Sequence, residues 1–546
     1  MNLANKKQWT LTERQLCDIE LIMDGSFSPI NGFMGEEDYN LVLNKMRLKG
    51  GQLFPLPIVL DISKSFYKAI NINEEIILSD LEGFQIAKMR VNSKWKPDLN
   101  KEAELLYGTL DTNHPAVDYL LNYGNKFYMG GEIEKIAFPN HYDYNQYRLT
   151  PKNAKENFKK LGWEKIIAFQ TRNPLHRAHV EMTMHSMNSK DACLFLHPVV
   201  GLTKTGDIDY FTRVRCYEKI IQKYPNNKAM LALLPLAMRM GGPREALLHA
   251  LIRKNFGCTH IIIGRDHAGP GKNSAGKLFY GPYESQKLVQ KFENEIGIKM
   301  IPFQFMVYVP KYKKYEELSN LEPDVEYKTL SGTELRDLLD KGEEVPEWFS
   351  YPEVTTELKK SNPPRYKRGF TVFLTGLSGS GKSTIANGLL IKLLEHGSRP
   401  VTLLDGDIVR THLSSELGFS KAHRSLNVQR IGYVASEITK NRGIAICAPI
   451  APYELDRHIN RRLISKFGGY IELYVSTNLE RCEERDSKGL YKLARDGKIT
   501  DFTGISDPYE VPKNPDIVVN SDGKKPPSDL VNEIFQKLCD FGYLRI

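Results

Sequence analysis

The sequence predicts an α/β protein built of several domains, and three observations predict it. At 546 residues, the chain is too long for one ordinary domain of roughly 100–200 residues. Short apolar runs alternate with helical stretches in two separate regions, the pattern of parallel sheets wrapped by helices. A glycine-rich turn ending in Lys382-Ser383 stands between a predicted strand and a predicted helix, the setting in which such turns hold phosphate. The expected divisions are a β-rich domain over 1–145, a catalytic α/β domain over 146–325, a small helical unit with a linker over 326–365, and a phosphate-loop domain over 366–546.

Residues 1–145 mix strand-like runs, Pro57-Ile58-Val59-Leu60 and Glu75-Ile76-Ile77-Leu78, with turn clusters and few long helical periods. From 146 to 325 three runs read as buried strands: Lys165–Phe169, Ala192–Leu196 and His260–Gly264. Pro243 to Phe256 reads as a helix, with proline in its first turn and Gly257 as terminator. Over 326–350, Ser331 and Glu334 have capping-box spacing ahead of Leu335, Leu338 and Leu339, and a capped structural helix explains Ser331–Arg336. Residues 351–369, ending in SNPPRYKRG, are poor in apolar residues and mark a junction. The last region has strand runs at Thr371–Leu374, Val401–Leu404, Ile444–Ile446 and Tyr470–Val475.

Composition narrows the function classes. Hydrophobic residues at 41% and charged residues at 26% describe globular material. The opening MNLANKKQWT has no apolar core like that of a signal peptide, and no run approaches about 18 apolar residues. A cytoplasmic protein without a membrane partner is expected. Seven scattered cysteines with no C-x-x-C pair read as reduced thiols. The net charge of +9 is dispersed, with no basic block or nucleic-acid signature, so small anionic ligands are favoured over DNA or RNA.

The run Gly376, Leu377, Ser378, Gly379, Ser380, Gly381, Lys382, Ser383 matches the full G-x-x-x-x-G-K-[ST] phosphate loop, and Thr384 continues into the helix. Its backbone N–H groups curl inward around phosphates, Lys382 reaches the β- and γ-phosphates, and Ser383 is the candidate Mg²⁺ ligand. Asp405-Gly406-Asp407 closes the next strand, where a carboxylate holds Mg²⁺ through water or accepts a proton from an attacking hydroxyl. Residues 370–520 resemble adenosine-5′-phosphosulfate (APS) kinase through GLSGSGKST, LDGD, Arg410, LGFS at 417–420, Arg424-x-x-Asn427-x-x-Arg430, KGLYK at 488–492, and FTGI at 502–505 with PYE at 508–510. The resemblance implies that Asp407 is the general base on the ribose 3′-hydroxyl. It implies that Arg410, Arg424 and Asn427 grip the phosphosulfate, that Phe419 and Phe502 sandwich the adenine, and that Lys488 belongs to a lid. The family commonly has Asn, Asp and Ser where this chain has Ile408, His423 and Ala451.

Gln170-Thr171-Arg172-Asn173-Pro-Leu-His176-Arg-Ala-His179 follows a predicted strand and opens a helix. Two histidines three apart suit zinc or a polar surface, but no third ligand cluster accompanies them. Crowded donors at a helix N-terminus suit polyphosphate. A second donor-rich turn, Gly264-Arg265-Asp266-His267-Ala268-Gly-Pro270, follows a later strand, so both lie at the carboxyl edge of a parallel sheet, where such folds bind ligands. With no acid–base pair and no nucleophile, the set points to direct displacement at phosphorus by positioning and charge stabilisation. Residues 1–350 resemble ATP sulfurylase through GSFSPINGF at 25–33, RLTP at 148–151, QTRNPLHRAH, GRDHAGP, and SGTELRDLL with PEWFS at 346–350. The resemblance implies a PUA-like barrel in the first domain and a Rossmann-like nucleotidyltransferase in the second. It implies that Gln170, Arg172 and Ala268 hold sulfate, that Thr171, Arg172 and Asn173 act at the reacting centre, and that His176 and His179 stabilise the transition state. Gln170, Asn173, Gly264–His267 and Met306, with Phe303 nearby, would line the ATP pocket.

Together these resemblances imply a bifunctional transferase that uses Mg²⁺ with ATP. Sulfate and ATP would give APS and pyrophosphate, and phosphorylation of APS would then give PAPS. A homo-oligomer, dimer or higher, is expected. The alternative is a sulfurylase running in reverse, making ATP from APS and pyrophosphate, beside a kinase-like domain that is partly regulatory.

Overall fold

The computed structural model describes residues 6–204, 206–303, 305–486 and 488–545. The chain forms two compact units, one running to Ser331 and including Val345–Ser361, the other made of Gly332–Glu344 and the chain from Asn362 onward. The two helices of the 326–365 segment therefore go to different units: Gly332–Lys341 belongs to the second and Pro352–Ser361 to the first. Asp340 accepts ion pairs from Arg365 and Arg368, and Arg545 donates to the Lys341 carbonyl, which seats the first of these helices in its unit. Among the described residues no helix is long and apolar enough to cross a membrane. All seven cysteines are free, as their spacing predicts.

The first unit opens with a six-stranded sheet of β1 (Gln8–Thr10), β2 (Gly32–Phe33), β3 (Leu60–Ile62), β4 (Glu75–Ser79), β5 (Gln85–Trp95) and β6 (Phe127–Lys135), in the order β1-β4-β5-β6-β2 with β3 also on β6. β1 and β4 run parallel and the other pairs antiparallel. β5 alternates as a half-buried strand must, sending Met89 and Val91 inward while Arg90 and Asn92 face solvent. The expected run at 57–60 contributes only its end, since pairing begins at Leu60.

A second, wholly parallel sheet holds β7 (Ile166–Phe169), β8 (Cys193–Leu196), β9 (Ala229–Leu231), β10 (His260–Ile263) and β11 (Lys299–Pro302), in the order β11-β10-β7-β8-β9. Its inner strands β7, β8 and β10 read as nearly continuous apolar runs, as buried parallel strands do. The order reverses between β7 and β10, so their carboxyl ends flank the crevice where open α/β sheets bind ligands. A hairpin of β12 (Met306–Val309) and β13 (Lys314–Glu317) follows. The predicted helix is present at Gly242–Asn255.

The second unit is built on a parallel sheet of β14 (Phe370–Thr375), β15 (Val401–Asp405), β16 (Ile444–Ala448), β17 (Gly469–Val475) and β18 (Ile517–Val519), in the order β15-β16-β14-β17-β18. β18 is three residues long, and its run Ile517-Val518-Val519 is too short to be read as a strand from sequence. Central β14 is buried at every position, and the phosphate loop leaves its carboxyl end directly into the helix Lys382–His396.

Candidate active sites

The turns after β7 and β10 stand side by side because their strands are paired neighbours. Gln170 is buried, and its amide nitrogen lies 3.4 Å from His249 Nε2. Thr171 Oγ1 donates to the Asn173 carbonyl and accepts the Asn173 N–H, while Tyr217 donates to that same carbonyl, so the turn is tied at 2.8–3.0 Å. The Arg172 guanidinium forms an ion pair with Asp207. His176 caps the helix Arg177–Lys190; its Nδ1 is 2.9 Å from Ser350 Oγ, and its ring lies 4.5 Å from that of Phe349. The His176 amide donates to His179 Nδ1 at 3.2 Å. Once Nδ1 accepts that bond, a neutral His179 carries its proton on Nε2 and presents it as a donor.

The electrostatics favour neutral rings here. Burial pushes the His176 imidazole down to about 3, with His179 adding to the effect, and burial pushes His179 down to about 4. In the second turn, Asp266 and Ala268 take left-handed backbone angles, φ 49° and 57°, a conformation that costs a non-glycine residue roughly 1–2 kcal/mol. Such outliers collect at functional sites. Burial raises the Asp266 carboxyl while Arg172, Lys204 and Arg265 pull it back, which puts those cations around one point. Lys204 Nζ donates to the Pro270 carbonyl at 2.6 Å, tying the loop after β8 to this turn. Gly264 borders open space, exposed Arg265 lies over Tyr283 and Phe305, and His267 Nε2 is 3.0 Å from His249 Nδ1. Phe303 faces His179 at 6.1 Å. Met306 lines a cavity of about 190 Å³ with Met182, His185, Ser186, Ile301 and Pro302, and neither turn borders it.

In the second unit Gly381 sits at φ 100°, and a Cβ there would lie 2.7 Å from Ser521 Oγ. Thr477 Oγ1 donates to the Ser380 carbonyl and Tyr491 OH to the Ser378 carbonyl, both at 2.8 Å, which fixes the loop from outside. Buried Lys382 curls back to donate to the carbonyls of Gly376 and Leu377, and burial lowers its pKa to about 8. Thr384 is exposed one residue beyond Ser383. Ser383 Oγ donates to Asp405 Oδ2 at 3.1 Å, and Asp405 caps the next helix by accepting the Asp407 N–H. Among the described residues no cluster of three His, Cys, Asp or Glu could hold a metal. A hydroxyl beside one carboxylate still fits a divalent cation that keeps its waters and takes phosphate oxygens.

Exposed Asp407 forms an ion pair with Lys488, so the expected base and the expected lid lysine meet. Arg410 lies 4.5 Å over exposed Phe419 and donates to the Leu417 and Gly418 carbonyls. Phe502 packs edge-on against Tyr491 at 5.0 Å, and among the described residues no ring contact joins it to Phe419. Arg424 is more committed than the sequence implies. Its guanidinium is buried and engages Tyr453, Thr503, Asp507 and the Asp501 carbonyl at 2.7–2.9 Å. It holds the loop that carries Phe502. Asn427 is buried beside it with an unpartnered Oδ1. At the divergent positions, His423 Nδ1 accepts the Gly418 N–H at 2.9 Å, the acceptor's part that a carboxylate would play. Ile408 is exposed, and Ala451 is buried at φ 45°.

Four residues escape a sequence reading. Asp207 and Ser350 reach Arg172 and His176 from distant segments; Ser350 closes the PEWFS run, but nothing local shows which side chain either residue meets. Glu245 and His249 carry one, a Glu and a His four apart inside an otherwise Ala/Leu-rich helix.

The fold and its turns define a chain of two nucleotide-binding α/β units, each presenting anion-binding backbone and fixed cations at a sheet's carboxyl edge. Residues 2–138 match the PUA-like domain family, 145–361 the ATP-sulfurylase family and 368–520 the adenylylsulphate kinase family. The sequence is 50% identical to the sulfate adenylyltransferase of Coccidioides immitis, over 98% of this chain and 93% of that one. It is also 50% identical to that of Mycosarcoma maydis, over 93% and 90%. The structure is similar to the hexameric APS kinase from Thiobacillus denitrificans, with a TM-score of 0.82, 36% identity, and coverage of 100% and 95%. The chain belongs to the sulfate adenylyltransferase family.

Proposed function

We propose that this chain activates sulfate in two steps, one in each unit. The first unit, a nucleotidyltransferase, makes APS and pyrophosphate from sulfate and ATP. The second, a kinase, transfers the γ-phosphoryl group of another ATP to the APS 3′-hydroxyl, giving PAPS and ADP. One observation carries the reading: in a single chain of this family, a phosphate loop with Lys382, Ser383 and Asp407 accompanies a histidine turn set beside a second donor turn at a sheet's switch point.

In the first reaction a sulfate oxygen, already anionic, attacks the α-phosphorus, and the bond to the β-phosphate oxygen breaks. No general base is required. Gln170, Arg172 and the Ala268 turn hold the sulfate. Thr171 and Asn173 shape the turn at the reacting centre, and Gln170, Asn173 and Gly264–His267 border the nucleotide, while Met306, which lines a separate cavity, is left out of the site. The His179 Nε2–H, with the first amides of its helix, stabilises charge developing on phosphorus and pyrophosphate, and Ser350 steadies His176 beside it. In the second reaction Asp407 takes the 3′-hydroxyl proton once Lys488 leaves it for the phosphosulfate. Lys382 exchanges the loop carbonyls for β- and γ-phosphate oxygens. Arg410, Arg424 and Asn427 border the phosphosulfate, and Phe419 and Phe502 offer faces to the adenine. The cation in this proposal is Mg²⁺, which Ser383 and Asp405 would hold and which would neutralise phosphate charge.

The reverse direction with a partly regulatory kinase-like unit is not favoured, because Lys382, Ser383 and Asp407 supply the groups of a working kinase, which would consume the APS that the reverse reaction needs. A coupled assay tests the proposal: labelled sulfate with MgATP should yield labelled PAPS by way of APS. Label that stops at APS would reduce the second unit to a nucleotide-binding module. The hexameric relative supports a homo-oligomer, which light scattering measures, and a cytosolic location fits substrates of this kind.

A further inference from the structure

The helix Gly242–Asn255 carries Glu245, His249 and Arg253 at intervals of four, on one face, and all three are fully buried. Burying such groups is expensive unless they are paired. None of them touches a substrate in the mechanism above. The Glu245 carboxylate accepts the N–H groups of Arg239 and Gly241 at 2.8 and 2.9 Å and lies 3.7 Å from His249 Nε2. That same Nε2 faces the Gln170 amide at 3.4 Å, and His249 Nδ1 faces His267 Nε2 at 3.0 Å. One buried ring thus joins the two substrate-binding turns.

Burial drives His249 below the usual imidazole range and His267 well below it, so each ring is neutral and carries one N–H. Glu245 stays ionised. Burial pushes its carboxyl up, but the His249 ring beside it and the N–H bonds of Arg239 and Gly241 outweigh this and leave it below the usual range. A carboxylate beside Nε2 places the His249 proton there, which makes Nδ1 an acceptor. His267 must then donate from Nε2 in the 3.0 Å bond, and its own Nδ1 keeps a lone pair. Gln170 obeys the same logic. Its buried Oε1 has no partner, and half a turn of the amide brings Oε1 to the 3.4 Å position beside His249 Nε2, where it shares that one proton with the Glu245 carboxylate. The amide NH2 then takes the place of the unpartnered oxygen, leaving its N–H groups free to serve an anion.

The geometry points to His249 as a positioning residue for the first reaction: held by Glu245 as its Nε2–H tautomer, it aims the Gln170 N–H groups at sulfate and leaves His267 Nδ1 as an acceptor for a nucleotide N–H or O–H. This rests on the proposed sulfate-adenylylating activity of the first unit.

Full-length His249→Leu and His249→Asn test it, with PAPS formation from supplied APS as the control for an intact chain. His249→Leu should raise the KM for both sulfate and ATP about 10–100-fold, the size of loss that follows when the partner orienting a metal-ligating histidine is removed. Asparagine reaches the Nδ1 position but not Nε2, so His249→Asn should recover the ATP KM and leave the sulfate KM raised. A merely structural role would not split the two. In parallel, two-bond ¹H–¹⁵N spectra of histidine-labelled wild-type protein should show the proton on Nε2 of both His249 and His267. Unchanged KM values in an active His249→Leu enzyme, or an Nδ1-protonated His249, would overturn the proposal. If His249→Leu fails to fold, the spectrum alone decides. Wild-type protein that makes no APS would instead remove the functional reading, and this role with it.

Discussion

Single residues divide the two chemistries. His179→Ala removes the Nε2–H donor of the first site, and loss of one such transition-state donor costs about 10²–10³ in kcat. APS formation should fall by that factor while PAPS formation from supplied APS is unchanged. Lys382→Ala should give the opposite pattern in the same two assays. Lys382 also sets a pH dependence. Burial lowers its pKa to about 8, so the free protein carries the charge below that pH and loses it above. Polyphosphate needs the charged form; binding above pH about 8 must therefore take up a proton, and affinity should weaken as pH rises. Titration of a nonhydrolysable ATP analogue between pH 7 and 9.5 checks the sign, and affinity that is flat or rising would refute it. His423 gives a third test. His423→Ala leaves the Gly418 N–H without its acceptor and loosens the segment bearing Phe419. A bond of this kind is worth about 1 kcal/mol, so the APS KM should rise about fivefold, and His423→Asp should restore it. The phosphate loop and the histidine turn were legible in the sequence because one local run supplies all their groups. Asp207 and Ser350 were not, since only the folded chain brings them to Arg172 and His176.

At the level of elements, the long apolar strands could be read from the sequence and the short ones could not. β7, β8, β10 and β14 announce themselves because burial on both faces demands uninterrupted hydrophobic runs. β9 and β18 have three residues each, and their apolar runs, Ala-Met-Leu and Ile-Val-Val, are too short to separate a strand from a core-facing loop without the neighbouring edge they pair with. The helix at 242–255 was visible, but its buried charged face was not, because a Glu-His pair four apart reads equally as a solvated face. The turn from β14 into its helix depends on backbone freedom at Gly381. Gly381→Ala must hold a left-handed angle at a cost of about 1–2 kcal/mol. Calorimetry should register that loss, and PAPS formation should fall with it while APS formation persists.

At the level of the whole molecule, joining the reactions matters because the anhydride of APS is high in energy, so the first equilibrium lies toward ATP. In Lys382→Ala, conversion of labelled sulfate to APS should stall after a small burst and resume when pyrophosphatase is added. Wild-type enzyme should proceed without that help, as measured by continuous conversion of labelled sulfate. The broad division into a β-rich start and two α/β regions was plain from hydrophobic periodicity, whereas the sharing of 326–365 between units was not, because the affiliation of its two helices rests on distant partners such as Asp340 with Arg365 and Arg368. That sharing has a mechanical result. The polypeptide passes from one body to the other at 331/332, returns at 344/345 and leaves again at 361/362, like a thread carried through two layers of cloth. A protease that nicks the middle passage leaves each fragment owning a piece of both bodies, so the halves stay joined after the cut. A gene trimmed at 361 would strand Leu335 and Leu339, buried at 6% and 4% exposure, without the body that shelters them.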